Sequence, residues 1–236
     1  GIIIENENKI LIMMPGPPRE MKPMFDLQVK PFLASKLKGA ILSRTLRIAG
    51  VGESAMESRV KDLTDKMENP TVAPYAKETE AVLRITAAAE TEEKAVELIE
   101  PVAEEIYNRF GIDVYAEGET SMQETVAKLL LEKKLTIAVS ESCTGGLVAS
   151  KLIEYPGISE VFMEGAVTYS NEAKMKRLGV KPETLKNYGA VSAETALEMA
   201  EGIAKSAGTS VGLSTTGVAG PGPSEGKPEG LVYVGI

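Results

Sequence analysis

The chain contains no histidine. That absence removes Ser-His-Asp and Cys-His catalysis, together with every histidine metal site. Any acyl-transfer chemistry must therefore take its base from Lys, Asp, Glu or Tyr. A single cysteine in 236 residues excludes an intrachain disulfide framework and fits a reducing, cytoplasmic compartment. No apolar run approaches the length of a membrane span, and no basic-apolar-small signal pattern opens the sequence, so no membrane partner is expected. Positive charge is also in deficit. The net charge is -8, and a surface that acidic repels phosphate backbones unless it carries a local basic patch. No such run occurs, so direct nucleic-acid contact is not expected.

What is present suffices for a globular protein with a buried core: 43% hydrophobic and 25% charged residues over a length that accommodates two or three small domains. The most informative stretch is TIAVSESCTGG, residues 136–146. Its first four residues form a β-branched, apolar run that predicts a buried strand. A small, polar turn follows, then LVASKLIE, whose Leu147, Val148, Leu152 and Ile153 share a helical face. Strand, tight turn and helix together aim unpaired N–H groups and a positive helix end at whatever lies over the turn. Such a turn also holds a nucleophile at a strand's carboxyl end. Two candidates sit side by side, Ser142 and Cys143.

The chain order predicts three segments. Residues 1–40 read as two short strands around a polar turn at 5–9, a proline-rich PGPP stretch, and a helix over 20–33 with Pro23 in its first turn and Pro31 near its end. Residues 41–119 follow the order β-α-β-β-α-β, a small α+β, ferredoxin-like pattern. There the spacing places Ala95, Val96, Ile99, Val102, Ala103 and Ile106 inward on one long helix opened by Thr91. Residues 120–236 alternate strands and helices as an α/β domain. They open with the capping box Ser121-Met122-Gln123-Glu124. Strands are predicted at 161–169, 210–216 and 231–236, and helices are capped by Asn171 and Ser192. In open α/β sheets ligands bind beyond the carboxyl ends of the strands. Three such ends converge: Ser142-Cys143-Thr144, Tyr169 with Lys174, and Thr216-Gly217. Lys174, expected at the third helical position after Asn171, is the one base in these turns that readily replaces the missing histidine. It serves only if burial or positive potential lowers its pKa.

These residues carry a family resemblance. ESCTGGLVASKL, GAVTYSNEAK, YGAVSAETA and TGVAGPGPSEGKPEGLVYV resemble, in order, the C-terminal domain of the CinA (competence/damage-inducible) family, the nicotinamide-nucleotide amidases. The resemblance implies a three-layer α/β amidase domain that hydrolyses the carboxamide of nicotinamide mononucleotide to nicotinate mononucleotide and ammonia, in pyridine-nucleotide salvage. It implies Ser142 as nucleophile in place of Cys143, Lys174 as general base, and Tyr169 relaying or orienting the proton. No cofactor or metal is implied for this domain. The amides of Cys143, Thr144, Gly145 and Gly146 become the expected oxyanion donors. Thr216, Gly217, Ala219 and Gly220 become the expected backbone approach to the ribose phosphate.

GIIIEN…IMMPGPPREMKPMF resembles the close of the molybdopterin-binding-like domain that opens CinA proteins. In the family that domain implies a divalent-metal-dependent ADP-ribose pyrophosphatase. Its nucleotide- and metal-carrying part is not among these residues. Residues 41–119 resemble the family's KH-like region. Gly50-Val51-Gly52-Glu53 lacks the basic neighbours of an RNA-binding GXXG loop, so a spacer or dimerisation role is expected. The resemblance further implies a strand, a Gly-Asp-Arg segment and a helix beyond residue 236. An open sheet edge at that point would favour a homodimer. Two rival readings remain: the pyrophosphatase, and a non-catalytic nucleotide-binding module tied to competence or DNA damage.

Overall fold

The computed structural model describes residues 1–7, 9–36, 39–76 and 80–236. Residue 8, inside the polar turn expected at 5–9, lies outside the described residues. The chain forms two compact units, Gly1–Glu119 and Thr120–Ile236. Residues 1–40, expected as the tail of a separate domain, fall within the first.

That first unit begins with an antiparallel hairpin of β1 (Ile2–Asn6) and β2 (Lys9–Met13), paired from Ile2↔Met13 to Asn6↔Lys9. Helix α1 (Pro18–Met24) starts on Pro18, which needs no intrahelical N–H partner at that position. The helical path then runs longer than expected, through a π-helical segment, Phe25–Val29, into α2 (Lys30–Lys36). The widened turn lies just ahead of Pro31, whose missing N–H interrupts ordinary helical bonding. Lys30 N–H donates instead to the Phe25 carbonyl.

The rest of the unit keeps the β-α-β-β-α-β order. It comprises β3 (Ala40–Ile48), α3 (Glu53–Lys66), β4 (Thr71–Ala76), β5 (Ala81–Ala89), α4 (Glu92–Phe110) and β6 (Val114–Glu117). The strands pair antiparallel in the order β4-β5-β3-β6. Thr91 caps α4 by accepting the Lys94 N–H at 3.3 Å. Ala95, Ile99, Val102, Ala103 and Ile106 of α4, with Met56 and Val60 of α3, bury against Leu46, Ile48, Leu83 and Ile85. Val96, expected inward, is 40% exposed. It sits about 100° around the helix from Ala95, beyond the edge of the apolar stripe. Arg47, on the central strand, is buried. Its Nε donates to the Gly118 carbonyl at 2.7 Å, and its guanidinium pairs with Glu80.

The second unit is a three-layer α/β sandwich. Its elements are α5 (Met122–Lys133), β7 (Ile137–Glu141), α6 (Leu147–Ile153), β8 (Phe162–Val167), α7 (Asn171–Leu178), α8 (Pro182–Tyr188), α9 (Ala193–Ala207), β9 (Val211–Gly217) and β10 (Val232–Gly235). The sheet order is β10-β9-β7-β8. Central β7 runs parallel to β8 and β9, while β10 closes antiparallel on β9. The period of two along β7 divides the core. Ile137 and Val139 pack toward Leu130 of α5 and Leu152 of α6, whereas Ala138 packs toward Met199 and Ile203 of α9 and Leu178 of α7. Helix α9 approaches α7 so closely that a Cβ on Gly202 would lie 2.0 Å from the Leu178 carbonyl oxygen. Two caps differ in detail from expectation. Ser121 accepts the Glu124 N–H, as its motif predicts, but α7 is capped by the Ser170 hydroxyl on the Ala173 N–H, not by Asn171. Lys174 therefore stands fourth in the helix, one place deeper. Among the described residues, no helix is long and apolar enough to cross a membrane.

Candidate active site

Strand β7 runs two residues further than the apolar run suggests, through Ser140 and Glu141. Its end is tied on both sides. Thr168 N–H donates to the Glu141 carbonyl at 2.8 Å, and Ser142 N–H donates to the Thr215 carbonyl at 3.0 Å. Ser142 leaves this fixed point as a nearly buried residue, 7% exposed. The chain then turns through Gly145 and Gly146, both in left-handed backbone, into α6.

The side chain that governs this turn is Glu141, and sequence reasoning missed it. Alternation along β7 puts Glu141 on the same face as Ile137 and Val139, toward α6. It is 1% exposed, and its carboxylate accepts the N–H groups of Gly146 (3.0 Å), Val148 (3.1 Å) and Ala149 (2.8 Å). Burial pushes this carboxyl up. The Thr144 hydroxyl and those three amides outweigh it and hold the group below the ordinary glutamate value. The helix start expected to face a ligand is thus filled by the protein's own anion. Of the four amides expected as oxyanion donors, Gly146 serves Glu141 and Gly145 donates to the Ser142 carbonyl at 3.2 Å. Those of Cys143 and Thr144 make no backbone hydrogen bond among the described residues and lie toward the Cys143 sulfur.

Lys174 enters from α7 with 1% of its surface exposed. Its Nζ donates to the carbonyls of Thr168 (2.9 Å) and Tyr169 (3.0 Å) and stands 3.0 Å from Ser142 Oγ. Burial pushes this amine down. The nearby Cys143 and Glu225 oppose that shift without reversing it. Burial pushes the Cys143 thiol up, away from the reactive thiolate. Tyr169 meets Lys174 through its carbonyl. The residue is 71% exposed, and its hydroxyl makes no hydrogen bond among the described residues. Beside this group, the Thr168 hydroxyl is buried and has no hydrogen-bond partner among the described residues.

Ser142 and Lys174 open into a cavity of about 400 Å³. Of the residues expected to meet substrate, Cys143, Thr216, Gly217, Ala219 and Gly220 line it. Thr144, Gly145 and Gly146 do not: the Thr144 hydroxyl is 2.6 Å from that of Thr215, and the two glycines shape the turn behind. The Thr216 hydroxyl is spent on the Ala190 carbonyl at 2.7 Å. Sequence reasoning missed the opposite contributors, Ala190, Val191 and Glu225. The YGAVSAETA motif holds the first two, but its local pattern signals only a helix start.

Two family descriptions match the chain. The CinA C-terminal domain covers residues 119–236, and the damage-inducible protein CinA KH domain covers residues 43–116. Proteins named competence-damage inducible from Clostridium beijerinckii and Clostridium acetobutylicum are 60% and 59% identical to it over 237 residues. Each match takes in 100% of this chain and 58% of the relative, so the chain spans a little over half the length of these relatives. Among solved structures, a CinA superfamily protein from Escherichia coli is 36% identical, with TM-score 0.47, covering 48% of this chain and 66% of that one. A competence/damage-inducible protein from Agrobacterium tumefaciens is 43% identical, with TM-score 0.44, covering 48% and 68%.

Proposed function

The chain belongs to the CinA family, and from that premise we propose that residues 120–236 form a nicotinamide-nucleotide amidase. It releases ammonia from the carboxamide of nicotinamide mononucleotide and leaves nicotinate mononucleotide. The observation that carries the reading is the 3.0 Å approach of a fully buried amine, Lys174 Nζ, to the Ser142 hydroxyl.

A neutral amine has two N–H groups and one lone pair. The carbonyls of Thr168 and Tyr169 take the two N–H groups, so the lone pair is left for the Ser142 O–H. Burial pushes the amine below the ordinary lysine value and so favours the neutral form that can act as base. Ser142 Oγ attacks the carboxamide carbon as its proton passes to Lys174. The carbonyl oxygen becomes an oxyanion, for which the Cys143 and Thr144 amides are the donors still free of backbone partners. Collapse breaks the C–N bond, and the Lys174 proton leaves with ammonia. Water then attacks the acyl-serine and gives its proton to Lys174, which returns it to Ser142 Oγ as nicotinate mononucleotide is released. Tyr169 contributes by orienting the base through its carbonyl.

Burying a lysine beside a serine is costly for a module that only binds, since the amine must either be desolvated as a charge or give up its proton. That cost favours catalysis over the non-catalytic reading. The test is ammonia release from nicotinamide mononucleotide by the 236-residue chain and by its Ser142→Ala variant. Release that vanishes in the variant supports the proposal. Equal release from both overturns the assignment.

A further inference from the structure

Among the described residues, Glu225 is the one carboxylate that lines the cavity, and its backbone is in an unusual state. Ser224 and Lys227 pair across a two-residue turn, with Ser224 N–H donating to Lys227 O at 3.1 Å and Lys227 N–H to Ser224 O at 2.9 Å. The two residues between them are left-handed, Glu225 at φ 52° and Gly226 at φ 72°. Glycine, asparagine or aspartate fill such a first position without strain, whereas glutamate does not. A strained residue at a cavity wall points toward function when its surroundings over-determine it.

They do so here. The Glu225 carboxylate accepts the N–H groups of Ala190 and Val191, each at 3.2 Å. It lies so close to Gly189 that a Cβ there would fall 2.3 Å from Glu225 Oε2. Gly189 is itself left-handed at φ 80°, so the backbone opposite is shaped to receive the carboxylate. Lys227 stands 3.7 Å away, donates to the Tyr188 carbonyl at 2.8 Å and is not part of the cavity wall. Glu225 thus borders the cavity, whereas Lys227, its ion-pair partner, does not. The field of this carboxylate also reaches the buried Lys174 amine.

Lys174, with its Nζ on the Thr168 and Tyr169 carbonyls, and Glu225, held by the Ala190 and Val191 amides, both stand on the wall of this cavity. Resting on the amidase reading, we propose that Glu225 selects substrates whose acyl-bearing ring is positively charged, as in a pyridinium amide, over neutral amides of the same shape. A carboxylate fixed by two amides favours a cationic ring and repels the carboxylate product once the amide is hydrolysed.

The experiment separates binding from turnover. In the Ser142→Ala chain, dissociation constants are measured by calorimetry for nicotinamide mononucleotide and for its reduced dihydropyridine form. The two ligands share the ribose phosphate and the carboxamide but differ in ring charge. The expected result is tighter binding of the cationic form by about fivefold, the effect of one partly screened charge. Adding Glu225→Gln, or Glu225→Asn with a residue suited to left-handed backbone, should bring the ratio close to one. Equal binding of both forms by the Ser142→Ala chain overturns the proposal without a second substitution, and so does a ratio that persists in either folded double variant. If the unaltered chain releases ammonia while binding is charge-blind, the role of Glu225 fails and the amidase stands. If neither release nor binding occurs, both fail.

Discussion

Replacing Glu141 with glutamine tests whether the nucleophile turn is held by a buried anion. The carboxylate serves three amides, Gly146 and Val148 on one oxygen and Ala149 on the other. A glutamine keeps one acceptor and turns the other into an N–H2 donor. In either orientation at least one amide then meets a donor, in a place closed to water. Hydrogen bonds to a charged group contribute about 1.5–3 kcal/mol each, and a neutral acceptor supports the remaining ones about half as well. Releasing the carboxylate from burial returns part of this loss. The net expectation is destabilisation of the second unit by about 2–4 kcal/mol. Hydrogen exchange read by NMR at the Val148 and Ala149 amides isolates that unit from the first. Their protection should fall by about 30- to 900-fold, at 1.36 kcal/mol per tenfold. The effect has a pH signature. Because the folded carboxyl is held below its ordinary value, its stabilisation is fully present above the unfolded value of about 4.3 and is lost as pH falls through the folded one. The amide of the Glu141→Gln variant would not titrate, so the gap between the two proteins should be constant near neutrality and close in acid. A loss under about threefold in protection, or a gap that does not depend on acid pH, refutes the reasoning.

Three further outcomes follow from the same site. Lys174→Arg should lower ammonia release by at least about 10³-fold, because a guanidinium cannot give up its proton at working pH. In the unaltered chain, kcat/KM should rise with pH through the depressed lysine value, since the base acts only when deprotonated; a pH–rate profile falling over that range would contradict Lys174 as base. Cys143→Ala should keep release within about threefold, as the thiol is pushed up and contacts the site only as wall. Abolished release in a folded Cys143→Ala protein would make the cysteine the nucleophile.

Strand positions in the second unit were legible because apolar runs bounded by glycine and polar turns are local signals. So was the convergence of residues 142, 169, 174 and 216, which needs only parallel strands and their shared carboxyl edge. Three features were not legible, each for a physical reason. The carboxylate of Glu141 reads as part of a polar turn until the strand's alternation is carried two residues further. The cap at Ser170 competes with Asn171 one place on, and both residue types favour that position. The wall supplied by Ala190, Val191 and Glu225 depends on a loop folding back on a helix start 34 residues away, which no local pattern encodes. In the first unit the helical register failed only at its edge, at Val96, and at Pro31, where the backbone widened and continued.

The position of β7 has a consequence for when this protein becomes competent. The nucleophile strand is central, and both strands that flank it come later in the chain, β8 on one side and β9 on the other. The bond that seats Ser142 reaches to Thr215. Parallel pairing over such separations must await loop closure and is slow to form. During synthesis, Ser142 and Lys174 emerge well before the strand that fixes the turn. A nascent chain therefore holds Ser142 and Lys174 for some time without an assembled cavity, and under the proposed function hydrolysis would begin only once β9 has docked. Onset of activity would thus mark the last long-range pairing beside the nucleophile strand, giving a kinetic reporter of folding built into the site.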